Sequence, residues 1–215
     1  IVAAMGTGKL WFRVPESMLL SLEGEFPAFV TPKDILLHMV ADVGADGALY
    51  RSVEFDGPAV EAMGLAGRIT LCTMVTEMSG KTSIISPSEE ILGELRERGA
   101  RDAEPVEADP DADYVDRRRY SLDGLEPMVA VPHSPDNVRP VGEVKGTAIH
   151  QSFIGSCTNG RIEDMRAAAE VLRGRKVDPK VRLIITPGTM EVARQAVEEG
   201  LTAVFLEAGA VGTNP

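Results

Sequence analysis

The sequence predicts an α/β protein built from two doubly wound parallel-sheet units. Three observations predict it. Short apolar runs suited to buried strands alternate with segments whose apolar residues recur at helical spacing. Gly and Pro punctuate the junctions. A hydrophobic content of 44% over 215 residues is enough to bury a sizeable core, as one large or two modest domains. Such alternation favours a parallel sheet covered by helices, because parallel strands can be joined only by long crossovers.

In the first half, Thr31-Pro32-Lys33-Asp34 is a helix start: an N-cap hydroxyl, Pro in the first turn and an acid at the third helical position. The apolar face then runs Ile35, Leu36, Met39, Val40 and Val43, and Gly44 ends it. A strand is predicted over Ala48 to Phe55, then a Gly57-Pro58 turn, a short helix through Met63, a strand at Arg68 to Cys72 and a strand closing at Ile84-Ile85. Ser88 to Arg98 reads as an exposed, charged helix. Residues 100–116 carry seven acids and two prolines and read as a surface loop. Asp109, Asp111 and Asp113 do not make a calcium loop, since Tyr114 stands where Gly is needed and Tyr120 where Glu is needed. The boundary is placed at Pro127, giving units 1–126 and 127–215, because Pro127, Pro132 and Pro135 interrupt any helix there.

The second half repeats the strand, turn and helix plan. Ile149 to Ile154 reads as a strand; Ile162, Met165, Ala169 and Leu172 follow at helical spacing until Gly174. Val181 to Thr186 leads through Pro187-Gly188 into a helix from Met190 to Glu199, capped by Gly200, and Ala203 to Leu206 reads as a third strand. In doubly wound sheets ligands bind outside the carboxyl ends of the strands. Cys157 lies at one such end, in Gly155-Ser156-Cys157-Thr158-Asn159-Gly160, with Asn159 placed to cap the following helix. Unpaired amide donors near a helix N-terminus favour an anionic sulfur, which suits a metal-bound or reactive thiolate. A free cysteine is equally often a small buried hydrophobe, and position alone leaves the two readings even.

Charge and composition exclude several classes. Lys and Arg number 22 against 33 acids, a net charge of −11, which argues against a nucleic-acid partner. The basic run Arg117-Arg118-Arg119 follows the acidic loop and reads as balancing it. No apolar run approaches a membrane span and no signal-peptide pattern is present, so a soluble, cytoplasmic protein is expected. With two cysteines, Cys72 and Cys157, the reduced state is the better expectation, and Cys72 reads as buried core at a strand end. Gly6-Thr7-Gly8-Lys9 fails as a phosphate loop, because Ala3 and Leu10 replace required residues. Of the histidines, His38 reads as packed in a helix, His150 as a strand residue and His133 as loop-borne.

Gly155-Ser156-Cys157-Thr158-Asn159-Gly160-Arg161-Ile162-Glu163-Asp164-Met165 resembles the signature of the aconitase superfamily, specifically large subunits of the 3-isopropylmalate dehydratase and homoaconitase kind. The resemblance covers nearly the whole chain. Lys9 to Glu16, Cys72-Thr73-Met74 with Glu77, Ala130 to Val138 and Leu206 to Ala210 follow the family's order. It implies the aconitase large-subunit fold and a hydro-lyase that dehydrates and rehydrates a small hydroxy acid. It also implies a 4Fe-4S cluster held by three cysteines, of which Cys157 is the first, and a separate small subunit carrying a swivelling domain. By the same resemblance Glu77 is the active-site glutamate, and Thr73 and Asn159 are the residues near the cluster. Thr73 departs from the family's usual Asn and has fewer donors. The family's earlier Asp-Ser-His-Thr region and later Cys-Gly-x-Cys pair are not found in the sequence, which opens on Ile1 and ends at Asn214-Pro215 and so reads as a piece of something longer. Two alternatives stay open: a cluster-free binding or assembly module, and a thiol enzyme using Cys157 with His133 or His150 as base.

Overall fold

Met18, Leu20 and Leu22 alternate along one strand and are fully buried, and the first sheet is built around them. The computed structural model describes residues 2–100, 102 and 104–215, the side chain of Cys157 apart. An exposed helix α1 (Val2–Thr7) precedes β1 (Ser17–Glu23). Then come α2 (Pro32–Val43), β2 (Ser52–Asp56), α3 (Pro58–Glu61), α4 (Leu65–Met74), a 3-10 turn at Val75–Met78, β3 (Thr82–Ile84), α5 (Glu89–Glu97) and β4 (Asp116–Ser121). The strand order is β3-β2-β1-β4, and every pairing is parallel. Val53, Phe55 and Tyr120 join the β1 residues on the face covered by Ile35, Leu36, Met39 and Val40 of α2 and by Leu71 and Met74 of α4.

The start of α2 is the predicted one. Thr31 N–H and Oγ1 both donate to Asp34 Oδ2, at 2.7 and 2.6 Å. The other oxygen, Asp34 Oδ1, accepts Met128 N–H at 2.7 Å and so pins a hairpin onto the helix. That hairpin is β5 (Met128–Ala130) with β6 (Val138–Pro140), antiparallel, and its Val138 is part of the first core.

The second sheet comprises β7 (Gln151–Gly155), β8 (Arg182–Thr186) and β9 (Val211–Gly212), parallel and in that order. Between its strands lie a single turn α6 (Ser156–Asn159), then α7 (Ile162–Leu172), α8 (Met190–Glu198) and α9 (Leu201–Ala208). A separate core forms from Met165 and Ala169 of α7, Leu183 and Ile185 of β8, and Leu201, Val204 and Phe205 of α9. Both sheets are therefore parallel α/β layers, as expected.

Three predicted strands differ. Residues 48–51 form turns instead of strand, because Gly47 is tucked against the Val43 carbonyl and Tyr50 takes a left-handed φ of 58°. The stretch 68–72 is the middle of α4. Its β-branched Ile69 and Thr70 suggest a strand, but Arg68, Leu71 and Met74 are buried at helical spacing and win. The buried Arg68 guanidinium donates to the carbonyls of Met63, Ser86 and Glu61 at 2.9, 2.9 and 3.3 Å, which satisfies its charge. The stretch 203–206 lies in α9, whose Leu201, Val204, Phe205 and Ala208 form one apolar stripe; the third strand is Val211–Gly212.

The basic run lies in β4. Arg118 pairs with Asp116 at 3.0 Å and with Asp42 of α2 at 2.7 Å, and Arg119 pairs with Glu23 at 3.5 Å. Only Asp116 belongs to the acidic loop, so most of the balancing charge comes from elsewhere. Among the described residues no helix is long and apolar enough to cross a membrane.

Candidate functional site

The Cys157 turn is shaped by glycines. Gly155 ends β7 with φ 143°, and a Cβ there would meet the Thr186 carbonyl oxygen at 2.2 Å. Ser156 follows with a left-handed φ of 78°, an unfavourable value for a residue with a side chain. Gly160 closes the turn against Gly188, the glycine after β8, and a Cβ on Gly160 would lie 2.6 Å from Gly188 N. Gly188 N–H donates to the Gly160 carbonyl at 2.7 Å. Only glycine permits this approach of two backbones at the carboxyl edge of the sheet.

Two side chains fasten the turn. Thr70, buried in α4, donates from Oγ1 toward the Thr158 carbonyl at 3.1 Å, and α4 packs against α6. Asp164, in the first turn of α7, accepts Arg161 N–H at 3.0 Å through Oδ2 and Asn159 Nδ2 at 3.2 Å through Oδ1. Burial pushes the Asp164 carboxyl above its usual range, opposed by the bonds from Asn159 and Arg161. Asn159 does not cap α7. Arg161 holds that position, and Asn159 ends the separate turn α6, because Gly160 breaks the helix between them. Asn159 Oδ1 is buried with no hydrogen-bond partner among the described residues.

The predicted site residues are distributed around this turn. Cys157 lies in α6, and its side chain is outside what the structure describes. Thr73 is half-buried, one turn of α4 beyond Thr70 and on the same side of the helix. Glu77 is exposed on the 3-10 turn that continues α4. The structure thus brings the helix that carries Thr73 against the Cys157 turn and leaves Glu77 free at that helix's end.

Cys72 sits half-buried on α4, not at a strand end. Burial pushes its thiol above the usual range, opposed by Ser83 and by the charge of Arg68. His150 lies just before β7, at the opposite end of a five-residue strand from Cys157, about 16 Å away along the sheet. It cannot serve Cys157 as a base. His133 is exposed on the loop between β5 and β6. Among the described residues no group of three or more His, Cys, Asp or Glu side chains is arranged to hold a metal ion.

A cleft of about 550 Å³ opens beside the turn, between the first residues of α4 and those of α7 and α8. Gly64, Gly67, Gly160, Arg161, Gly188 and Thr189 are among its walls. Sequence reasoning missed Thr70, Asp164 and Gly188. Gly188 carried a signal, since Pro187-Gly188 sits at the end of β8 just as Gly155 sits at the end of β7.

Parallel α/β layers with a glycine-shaped cysteine turn at a carboxyl edge place the protein in the class of α/β folds that bind ligands at such edges. The chain belongs to the aconitase family (aconitate hydratase), which matches residues 1–147 and 142–215. It is 46% identical, over its full 215 residues, to the 3-isopropylmalate dehydratase large subunit of Heliobacterium modesticaldum, of which it covers 51%. It is 47% identical over 98% of its length to 3-isopropylmalate dehydratase large subunit 1 of Methanopyrus kandleri, covering 50% of that protein. It is 44% identical over 97% of its length to a probable methanogen homoaconitase large subunit of Methanothermobacter thermautotrophicus, covering 49%. The chain spans about half the length of the curated relatives it matches.

Proposed function

We propose that the chain is part of the large subunit of an iron-sulfur hydro-lyase of the 3-isopropylmalate dehydratase kind, isomerising a hydroxy acid by dehydration and rehydration. The observation that carries this reading is the glycine-shaped Cys157 turn, packed against the helix that bears Thr73 and runs on to Glu77. The units 1–126 and 127–215 are taken as the two halves between which the site is assembled, with the β5–β6 hairpin at the start of the second packed on the core of the first.

The turn fits a 4Fe-4S cluster. Gly155, Gly160 and Gly188 leave little room for other side chains, and Asn159 Oδ1 is a buried acceptor with no donor among the described residues. Cys157 would supply one thiolate, and the family resemblance implies that the other two come from sequence outside these 215 residues, Cys72 being half-buried on α4. Such a cluster, when bound, would supply Lewis acidity toward the departing hydroxyl. The chain's own part is proton handling and orientation. Glu77 holds or returns the proton of that hydroxyl, Thr73 donates one hydrogen bond toward the cluster's surroundings, and Asn159 accepts one.

The names of the relatives support a small-subunit partner, and the family resemblance supports assigning to it the swivelling domain and the abstraction of the carbon-bound proton. A biosynthetic enzyme of leucine synthesis in the cytoplasm is the matching physiological setting. Homoaconitase is the second reading, favoured by the homoaconitase relative at 44% identity against 46 and 47% for the dehydratases.

Anaerobic reconstitution of the full-length protein with iron and sulfide tests the reading. The expected result is visible iron-sulfur absorption that Cys157→Ala abolishes. No iron uptake by the wild type would instead mark a cluster-free binding module. Assay with the small subunit against 3-isopropylmalate and homoaconitate then separates the two substrates.

A further inference from the structure

Asp164 and Asn159 form a pair whose chemistry permits one arrangement only. An ionised carboxylate accepts and cannot donate, so the Asn159 amide must turn Nδ2 toward Asp164 Oδ1, as observed at 3.2 Å. Asp164 is itself fixed by Arg161 N–H on its other oxygen at 3.0 Å. The amide oxygen is thereby turned to the opposite side, where it is buried and has no partner among the described residues. An unpaired buried acceptor is costly, and such groups are rare in folded proteins. Two residues before it in the chain is Cys157, and the same short turn is held by Gly188 N–H on Gly160 and by Thr70 on Thr158.

We infer that Asp164 is a positioning residue: it fixes the Asn159 amide so that Oδ1 is presented to an O–H donor brought by the bound ligand. The inference rests on the hydro-lyase reading above. Two sources supply an O–H group there, the hydroxyl of the hydroxy-acid substrate and a water held at the cluster. Both can donate to an amide oxygen, whereas an amide NH2 in its place would offer no acceptor and could bond only to a lone pair of the same oxygen.

The test exploits an inversion. In Asp164→Asn, the new amide keeps Arg161 N–H on its oxygen and offers its own NH2 to Asn159, whose amide must flip to accept it. The number of hydrogen bonds is unchanged, but Asn159 now presents NH2 where the oxygen was. A purely structural Asp164 therefore tolerates Asn, and a positioning Asp164 does not. The double variant Asn159→Asp with Asp164→Asn keeps both bonds and again presents an oxygen.

The experiment uses the full-length large subunit with its small subunit, reconstituted anaerobically. It reads the electron paramagnetic resonance spectrum of the reduced cluster with and without 3-isopropylmalate, the dissociation constant of 3-isopropylmalate, and the unfolding midpoint. The expected result for Asp164→Asn is an unchanged unfolding midpoint, with a dissociation constant raised about tenfold or an altered spectrum, as for loss of one hydrogen bond to a ligand. The double variant is expected to recover most of that change. A spectrum altered before ligand is added assigns the donor to cluster-bound water; one altered only with ligand assigns it to the substrate hydroxyl. Wild-type affinity and spectra in Asp164→Asn overturn the inference while leaving the hydro-lyase reading intact. A cluster that survives Cys157→Ala overturns the reading itself.

Discussion

Thr70 Oγ1 lies 3.1 Å from the Thr158 carbonyl, 88 residues along the chain, and so joins helix α4 of the first half to the turn α6 of the second. The same hydroxyl is also 3.1 Å from the Ala66 carbonyl, so its one proton is shared between its own helix and the Cys157 turn. A buried hydroxyl that could be satisfied within α4 alone is instead used to bind the turn to the helix that carries Thr73. Thr70 thus ties the Cys157 turn to the helix that runs on to Glu77.

Replacing Thr70 by Val keeps the shape and deletes the donor. Loss of the shared bond is expected to cost about 1 kcal/mol, with Thr70→Ser recovering most of it. Urea unfolding of the full-length chain measures the loss. Because the Thr158 carbonyl is released, iron should also leave the reconstituted Thr70→Val protein faster in the presence of a chelator.

Gly160 and Gly188 allow less. An added Cβ at Gly160 meets Gly188 N at 2.6 Å and the Ser156 carbonyl oxygen at 2.7 Å, and backbone cannot rotate away as a side chain would. Gly160→Ala is expected to destabilise by about 2–3 kcal/mol and to displace the turn, the range seen for overpacked sites. At Gly188 the nearest atom is the Gly160 oxygen at 3.0 Å, so Gly188→Ala should cost less. Thermal melting of the two variants, measured side by side, checks the order. Equal stabilities would mean that the two backbones are not in contact in solution.

The cysteine turn was legible in the sequence because its punctuation is local: Gly155 and Gly160 bracket it, and a helical apolar stripe follows. The start of α2 was legible for the same reason, Thr31 and Asp34 being bonded within one turn. The errors fell where tertiary packing overrode local preference. Ile69 and Thr70 have β-branched side chains, yet the burial of Leu71 and Met74 against the first core makes the segment a helix. Ala203 to Leu206 is continuously apolar, and such a run does not distinguish a strand from a buried helix; the full stripe from Leu201 to Ala208 does. Thr70 was not legible as an anchor, because its partner Thr158 is 88 residues away; Asp164 bonds locally to Arg161 and Asn159, but the reading of Asn159 as the helix cap hid that role.

Asp42 gives the fold a pH dependence of definite sign. Hydrogen bonds from Arg118 at 2.7 Å and from the Tyr120 hydroxyl at 2.8 Å hold its carboxyl below the usual range. A carboxylate whose pKa is lowered by folding adds stability above its unfolded pKa of about 4 and loses it as pH falls through the folded value. Asp42 is half exposed, so solvent screens the pair and the contribution stays near 0.5–1 kcal/mol. Asp42→Asn should therefore be less stable than the wild type at neutral pH by about that amount, and the gap should narrow as the pH is lowered below about 4. Denaturant titrations at neutral and acid pH measure the difference; a gap that widens in acid would reverse the sign and remove the argument.

The two cysteines should differ chemically as sharply as their settings do. Cys72 is on α4, half-buried, with Ser83 Oγ donating to its carbonyl at 3.0 Å, and burial keeps its thiol protonated at neutral pH. The thiolate is both the nucleophile and the metal ligand, so Cys72 should react slowly with iodoacetamide and contribute nothing to iron binding. Cys72→Ala in the full-length protein is expected to retain its iron content, at a stability cost of about 1 kcal/mol for the lost packing. Peptide mapping after brief alkylation of the cluster-free protein should find label on Cys157 well before Cys72. If Cys72→Ala loses the cluster with its unfolding midpoint unchanged, the thiol on α4 is a ligand after all, and the assignment of the remaining thiolates to sequence outside these 215 residues falls.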